Sequence, residues 1–498
     1  MKQGVARSSA DGRSPTQDGL KAGALGVWGV VFLVISAAAP LNLIAGYGPL
    51  GYLVGGVGAP AGFLLAGLVL ALFVLGFMAM TRHVDRPGTF YAYIEAGLGR
   101  RMGGAAAAVA LFAYLAVQIG GAGILATVAQ SLVDHFFHTH LHWSVYAIAF
   151  TVMVWYLGRR GIDVGAKVLA VLLLAEVGIL TVITVGVLAH GGAHGFSGAS
   201  FAPHNVFTGG MAASSLVWFG AFIGIEYTAV YRAETRNPER TMPRAAVISL
   251  SFLALFYCLV SWAIIQAFGT ADLATAAGTH PTDMVFVVAD KFVGPWAGDV
   301  TQVLMVTSTI ASSLAYFNTI SRYGHAMAHD GLLPARFGRV HPVHRSPVAG
   351  NYQVVIALVG VAFFAVAGLD PYTKIAVWLS TPAVLGLILL MVLTSVAVVV
   401  FLRGRTSDSR PSPVIIGSSA LAAVLLAGVL YLLIDNITLM TGSSGSVNIL
   451  TSVAPFVVLS IGLAAAWRRR GTPSEPAPAP AGPSPLPTST VPAVGDAD

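Results

Sequence analysis

Charge is what this sequence has least of. Only 10% of its 498 residues are Asp, Glu, Lys or Arg, while 56% are hydrophobic. A soluble globular domain carries about 25% charged residues. So few charges cannot shield an apolar core from water, which excludes an ordinary soluble protein and makes lipid the solvent. Cysteine is nearly absent as well. Cys258 stands alone, so no intrachain disulfide can form, and its apolar surroundings suit a packed thiol. Missing too are the HExxH, GxSxG and Walker A patterns. Nothing therefore supports an intramembrane enzyme, an ATP-driven pump, a cofactor or a metal centre. The loop "DHFFHTHLHW" holds His135, His138, His140 and His142, but at no metal-site spacing, and it reads as a solvated loop.

What is present is a series of long apolar runs, many exceeding the ~20 residues that a helix needs to cross the hydrocarbon. The first starts near Ala22 and lacks the cleavage pattern of a leader. Twelve spans are expected, at about 23–52, 54–80, 104–133, 143–158, 164–189, 209–233, 244–268, 296–325, 347–368, 373–402, 413–434 and 448–467. Of the 27 Lys and Arg, 25 fall in the N-terminal stretch, the loops 81–103, 159–167, 232–244, 322–345 and 403–410, and the run 468–470. Only Lys291 and Lys374 lie on the other side. Basic loops face the cytoplasm, so both termini are expected inside. The net charge of +6 is this asymmetry and not a nucleic-acid patch. Arg outnumbers Lys, and Ala, Gly and Val abound, which suggests a GC-rich bacterial genome and hence a bacterial plasma membrane. Residues 1–21 and the Pro-rich tail 468–498 are too poor in apolar residues to fold and are expected to be disordered. The stretch 281–292, "PTDMVFVVADKF", is expected to form a short external helix.

Two spans carry breaks. In the first, "ISAAAPLNLIAGYGPLGY", Pro40 lacks an N–H and interrupts the helix near the bilayer middle, after the small residues Ser36, Ala37, Ala38 and Ala39 and before Leu41. In the sixth, "WFGAFIGIE", Gly220 and Gly224 weaken the helix by about 1 kcal/mol each relative to Ala. In lipid a broken helix survives only where it is buried in protein or lines a cavity. Spans five apart run in opposite directions, so two inverted five-helix repeats would place both breaks at equivalent positions. Such pairs point to a transporter binding site. Freed N–H groups just past Leu41 would favour a carboxylate, and freed carbonyls near Gly220 an ammonium.

An ionisable group inside the bilayer costs about 2.5–3.5 kcal/mol on insertion scales. Glu226 follows the second break, with no basic residue within five positions. Six residues from Arg232 is about 600° of helix, so the two lie on nearly opposite faces. Glu226 is a proton-site candidate, or a cap for unwound backbone. Glu176 in span five either relays protons to another helix or makes a structural hydrogen bond. Tyr114 and Gln118 in span three share one face and either border the pocket or pack in the core.

Four segments together resemble bacterial permeases of the amino acid–polyamine–organocation superfamily: "AFIGIE…ETRNPERTMP", "NTISRYGHAMAHDGLLP" (318–334), "RPGTFYAYIEAGLGRRMG" and "AKVLAVLLL". They occur in the family's order across spans one to ten. The resemblance implies an all-α membrane protein with the leucine-transporter fold. Residues 22–403 would form a ten-helix core of two inverted repeats with helices 1 and 6 discontinuous, and 404–467 two accessory helices. It implies alternating-access transport of an amino acid or amine around 36–41 and 219–225, coupled to protons or run as exchange.

By the same resemblance, Lys167 in span five would lie beside the first break, where an ammonium can replace a sodium ion. Thr309, Ser312 and Ser313 would then be its hydroxyl neighbours. The alternatives are a snorkelling interfacial lysine and hydroxyls that only line helix contacts. Many family members carry an aromatic gate at the position of Gly220. Here Phe219 or Phe222 takes that role with Ala221 between them, or the pocket is larger. A channel would show rings of pore-lining charge, and a sensor an output domain; neither is visible. Nothing in the sequence specifies an oligomer. The small apolar "SAAAPL" favours neutral substrates, and cationic ones only if an ionised Glu226 faces the pocket.

Overall fold

The computed structural model describes residues 25–84, 89–159, 166–230, 232, 235–340, 348–404 and 412–468; for Thr89, 166–169, Val230 and Arg468 it describes the backbone alone. The two expected disordered tails lie almost entirely outside these residues, as does most of "RPGTF". The described chain is nearly all helix, with one isolated strand-like pairing of Leu25 with Thr235.

The helices are, in order, α1 (Val27–Ala38), α2 (Gly48–Gly55), α3 (Ala59–Met80), α4 (Thr89–Leu98), α5 (Arg100–Phe137), α6 (Trp143–Arg159) and α7 (Ala166–Ala189). After them come short pieces, α8 (Pro203–Val206), α9 (Gly209–Ala213), α10 (Ser215–Gly220) and α11 (Tyr227–Val230). The long α12 (Pro238–Phe268) leads through α13 (Leu273–Thr279) and α14 (Met284–Phe292) to α15 (Pro295–His329). The chain then continues with α16 (Ala349–Val366), α17 (Val377–Arg403), α18 (Pro413–Asp435), α19 (Ile437–Thr441) and α20 (Ser446–Arg468). The short helix expected over 281–292 forms as α14.

Among the described residues, nine helical stretches are long and apolar enough to cross a membrane. Three of the twelve expected spans do not register as separate long helices. The first two run together as Val27–Met80, 54 residues. The fourth, α6, has 17 residues. The sixth is divided among α9, α10 and α11.

Helix ends follow local chemistry. Pro238, Pro295 and Pro413 open α12, α15 and α18, where a missing N–H costs nothing. This corrects one sequence boundary. The "NPERTMP" segment reads as loop, yet it forms the first turns of α12. Asn237 takes a left-handed conformation, Pro238 starts the helix, and Thr241 Oγ1 donates to the Arg236 carbonyl at 2.7 Å.

The core lies where α3 packs on α12 and α5 packs on α15 and α17. Its largest fully buried side chains include Tyr52, Phe63, Phe73, Phe77, Tyr114, Phe222 and Tyr257. α18 packs on α17 and α3, and α20 on α5 and α17. Both keep apolar side chains exposed, among them Val424, Tyr431, Leu450 and Ile461. A soluble protein would not present such a face, whereas lipid accepts it.

Candidate functional site

Both expected breaks are present, and each has a local cause. α1 ends at Ala38, and Ala39 turns left-handed at φ 46°. A residue before proline is driven out of the right-handed helical region, so Pro40 forces the break one residue upstream of itself. The chain resumes helically at once, passes through a wider π-type turn over Asn42–Tyr47 and enters α2. In the other segment α10 ends at Gly220, and turns fill 221–226 before α11. Gly224 holds φ 109°, a conformation that side chains rarely adopt. A Cβ there would stand 2.9 Å from Ala37 Cβ, so the two breaks press against each other.

A cavity of about 50 Å³ lies between them, room for a few water molecules. Its lining is Ala38, Ala39, Asn42, Leu43, Tyr47, Val117, Leu216, Gly220, Ile223, Tyr316, Ser380 and Val384. None of these is Asp, Glu, Lys, Arg or His. The Tyr47 and Ser380 hydroxyls bond at 2.8 Å, tying the first segment to α17. Of the substrate residues expected from sequence, Ala38, Ala39 and Gly220 line this cavity. Ser36, Ala37, Pro40, Leu41, Phe219, Ala221, Phe222 and Gly224 are not in its lining. Phe222 is fully buried and packs edge-on against Tyr257, ring centres 6.3 Å apart. Phe219 is 7% exposed and also outside the lining.

Each break has a buried carboxyl beside it. Glu226 Oε2 accepts the Gly224 N–H at 3.0 Å, and Glu226 Oε1 accepts the Tyr114 hydroxyl at 2.6 Å. The side chain thus satisfies backbone that the break releases, three residues after the cavity-lining Ile223. Glu176 on α7, which packs against α1, is buried beside the other break. Neither Glu176 Oε2 nor Ser308 Oγ completes a close hydrogen bond there. The Tyr257 hydroxyl reaches the Ala38 carbonyl at 3.5 Å, the acceptor left free where α1 stops. The carbonyls of Phe219 and Gly220, expected to be free, instead accept turn bonds from the Phe222 and Ile223 amides at 3.2 Å each.

The side chain of Lys167 lies outside the described residues. Thr309, Ser312 and Ser313 are buried on α15; Thr309 and Ser312 donate to their own helix, to the Met305 and Thr309 carbonyls. Gln118 accepts from Gln353 at 3.3 Å. Two histidines of the "DHFFHTHLHW" loop pair with acids: His135 with Asp299 and His140 with Asp134, both at 3.1 Å. The sequence reading missed Asn42, Leu43, Tyr47, Val117, Leu216, Ile223, Tyr316, Ser380 and Val384 in the lining, and Tyr257 at the first break. Asn42 and Tyr47 were within reach, since they follow Pro40 by two and seven positions in the interrupted segment.

Two interrupted helices facing one uncharged cavity, inside a bundle with apolar outer faces, define a multi-pass helical membrane protein with a small-molecule site. Comparison with known proteins names the class more closely. The amino acid permease family profile matches residues 25–462, and the chain belongs to that family. It is similar to the branched-chain amino acid permease BcaP of Bacillus subtilis, 25% identical over 376 residues, covering 72% of this chain and 76% of that protein. The BcaP of Lactococcus lactis is likewise 25% identical, over 63% of this chain and 70% of its own length. The cationic amino acid transporter 4 of Mus musculus is 28% identical over 63% of this chain, which spans 52% of that longer protein. Amino acid transport across a membrane is the family's activity and this chain's.

Proposed function

We propose that this protein is a secondary active importer of neutral amino acids, working by alternating access and coupled to protons. Twelve spans with both ends in the cytoplasm of a bacterium, a core of two inverted five-helix repeats over 22–403, and two accessory helices over 404–467 complete the reading. The observation that carries it is the cavity bounded by both broken segments, together with the buried Glu226 held in the second of them by Gly224 and Tyr114. A group that keeps its charge or loses it changes its hold on the freed Gly224 amide, so protonation and the shape of the second break are linked. Glu176, buried on α7 beside the first break, and Lys167, Thr309, Ser312 and Ser313 complete the proposed coupling set. An uncharged lining supports a neutral side chain over a cationic one.

One observation favours exchange instead. Both oxygens of Glu226 already have partners within the protein, as a purely structural cap would. Uptake of labelled amino acids into proteoliposomes separates the two, using wild type and Glu226→Gln, with and without an inward proton gradient, and with empty or amino-acid-loaded lumens. Gradient-driven accumulation into empty vesicles, lost in Glu226→Gln, supports proton-coupled import. Uptake confined to loaded vesicles and indifferent to pH makes the protein an exchanger. Absence of any amino acid uptake overturns both.

A further inference from the structure

At one end of the bundle, basic side chains stand without acids. The basic loops 81–103, 159–167, 232–244 and 403–410 each hold at least one acid: Asp85 and Glu95, Asp163, Glu234 and Glu239, and Asp408. The connection from α15 to α16 differs. After Asp330, which accepts the Tyr91 hydroxyl at 3.2 Å, no Asp or Glu occurs until Asp370, while Arg336, Arg339 and Arg345 fall between them. Sorting of basic loops by the membrane accounts for the arginines but not for the missing acids.

Two of the guanidiniums at this end rest on aromatic rings. Arg336 is exposed in the turn Ala335–Gly338, its Cζ 5.6 Å from the Phe337 ring centre and 5.4 Å from that of Tyr352. Those two rings are 4.3 Å apart. One residue earlier on α16, Asn351 Oδ1 accepts the Trp155 Nε1–H at 2.9 Å, and Arg159 Cζ lies 5.3 Å from the Trp155 ring centre. The ring face attracts the cation and holds it in place, while the guanidinium edge keeps N–H donors that match a phosphate. α6 and α16 pack together and contain no acid. Each shows lipid an apolar pair four residues apart, Val152 and Tyr156 on α6, Val355 and Val359 on α16, from 40% to 64% exposed.

We propose that the seam between α6 and α16 binds an anionic phospholipid, its headgroup phosphate on Arg159 and Arg336 and its acyl chains along the two apolar pairs. The patch shares no residue with the lining of the cavity between the broken segments, and it is independent of the transport reading.

The test offers the purified full-length protein equal amounts of phosphatidylglycerol and phosphatidylcholine with the same chains, and counts bound lipid by native mass spectrometry. Both lipids carry a phosphate, but only the first is anionic, and wild type should favour it. Each basic side chain beside an anionic headgroup changes binding by about fivefold. The preference should therefore fall about fivefold in Arg159→Gln and in Arg336→Gln, and about 25-fold in the double variant. Arg403→Gln removes the same charge from the end of α17 and should leave the preference unchanged. Arg336 is exposed, so Arg336→Gln carries the test alone if Arg159→Gln fails to assemble. Three results overturn the proposal: no preference in wild type, no fall in the assembled patch variants, or an equal fall in Arg403→Gln. Inorganic phosphate at the lipid concentration lacks the chains and should not displace phosphatidylglycerol. Displacement would make the patch a site for free anions and overturn the lipid assignment.

Discussion

At the residue scale the buried acid is the most informative group. Glu226 stood out in sequence because nothing nearby could neutralise it. Its partners did not, because Tyr114 lies 112 positions away and Gly224 acts through its backbone. Tyr114→Phe should leave Glu226 Oε1 without its donor in a water-poor site. Removing one partner of a charged hydrogen bond costs about 1.5–3 kcal/mol, so the purified variant should unfold at lower temperature than wild type in detergent. In Glu226→Gln the amide no longer bears charge, and the further loss of the Tyr114 hydroxyl should cost less than it does in wild type. Thermal unfolding of the two single variants and the double variant forms a cycle. Strict additivity would mean that the 2.6 Å contact carries no energy.

At the element scale, two glycines four residues apart should respond to alanine with opposite signs. Gly224 sits at φ 109° and faces Ala37 Cβ at 2.9 Å. Strain of this kind costs about 1–3 kcal/mol, so Gly224→Ala should lower the unfolding temperature and impair transport of every substrate alike. Gly220 has room and an ordinary φ, so Gly220→Ala should be neutral or stabilising by up to about 1 kcal/mol. Equal destabilisation in both would mean that the second segment is not broken at Gly224. Break positions were legible from Pro40 and the glycines because those residues act on their own backbone. The cavity lining was not, since Val117, Tyr316, Ser380 and Val384 come from α5, α15 and α17, and no periodicity within one helix marks which side chain meets another helix's gap. The start of α12 was misread for a local reason: charge and proline suggest a loop, but proline at a helix's first position is well tolerated.

At the scale of the whole molecule, the apolar runs and basic loops fixed most helix boundaries to within a few residues, because lipid requires about 20 apolar residues per crossing. They put the corner between spans one and two at residue 53, a few residues before its place at Gly56–Gly58, and span four at 143–158, close to the 17 residues of α6. Orientation rests on where the 27 basic residues fall, and it yields a prediction that depends on every crossing at once. The lone cysteine is buried, so Cys258→Ala supplies a background without reactive thiols. His138 and Arg403 are both exposed and sit on opposite sides of the proposed membrane. In intact cells a membrane-impermeant maleimide should label His138→Cys, whereas Arg403→Cys should react only after permeabilisation. From α5's end to α17's end the twelve-span reading counts seven crossings. An odd number puts the two sites on opposite sides, and an even number puts them together. Labelling of both from outside would therefore remove a crossing from that interval, with the short α6 and the divided α9–α11 segment the first to doubt. Labelling of Arg403→Cys alone would keep the crossings and invert the protein, placing its basic loops outside against the charge rule.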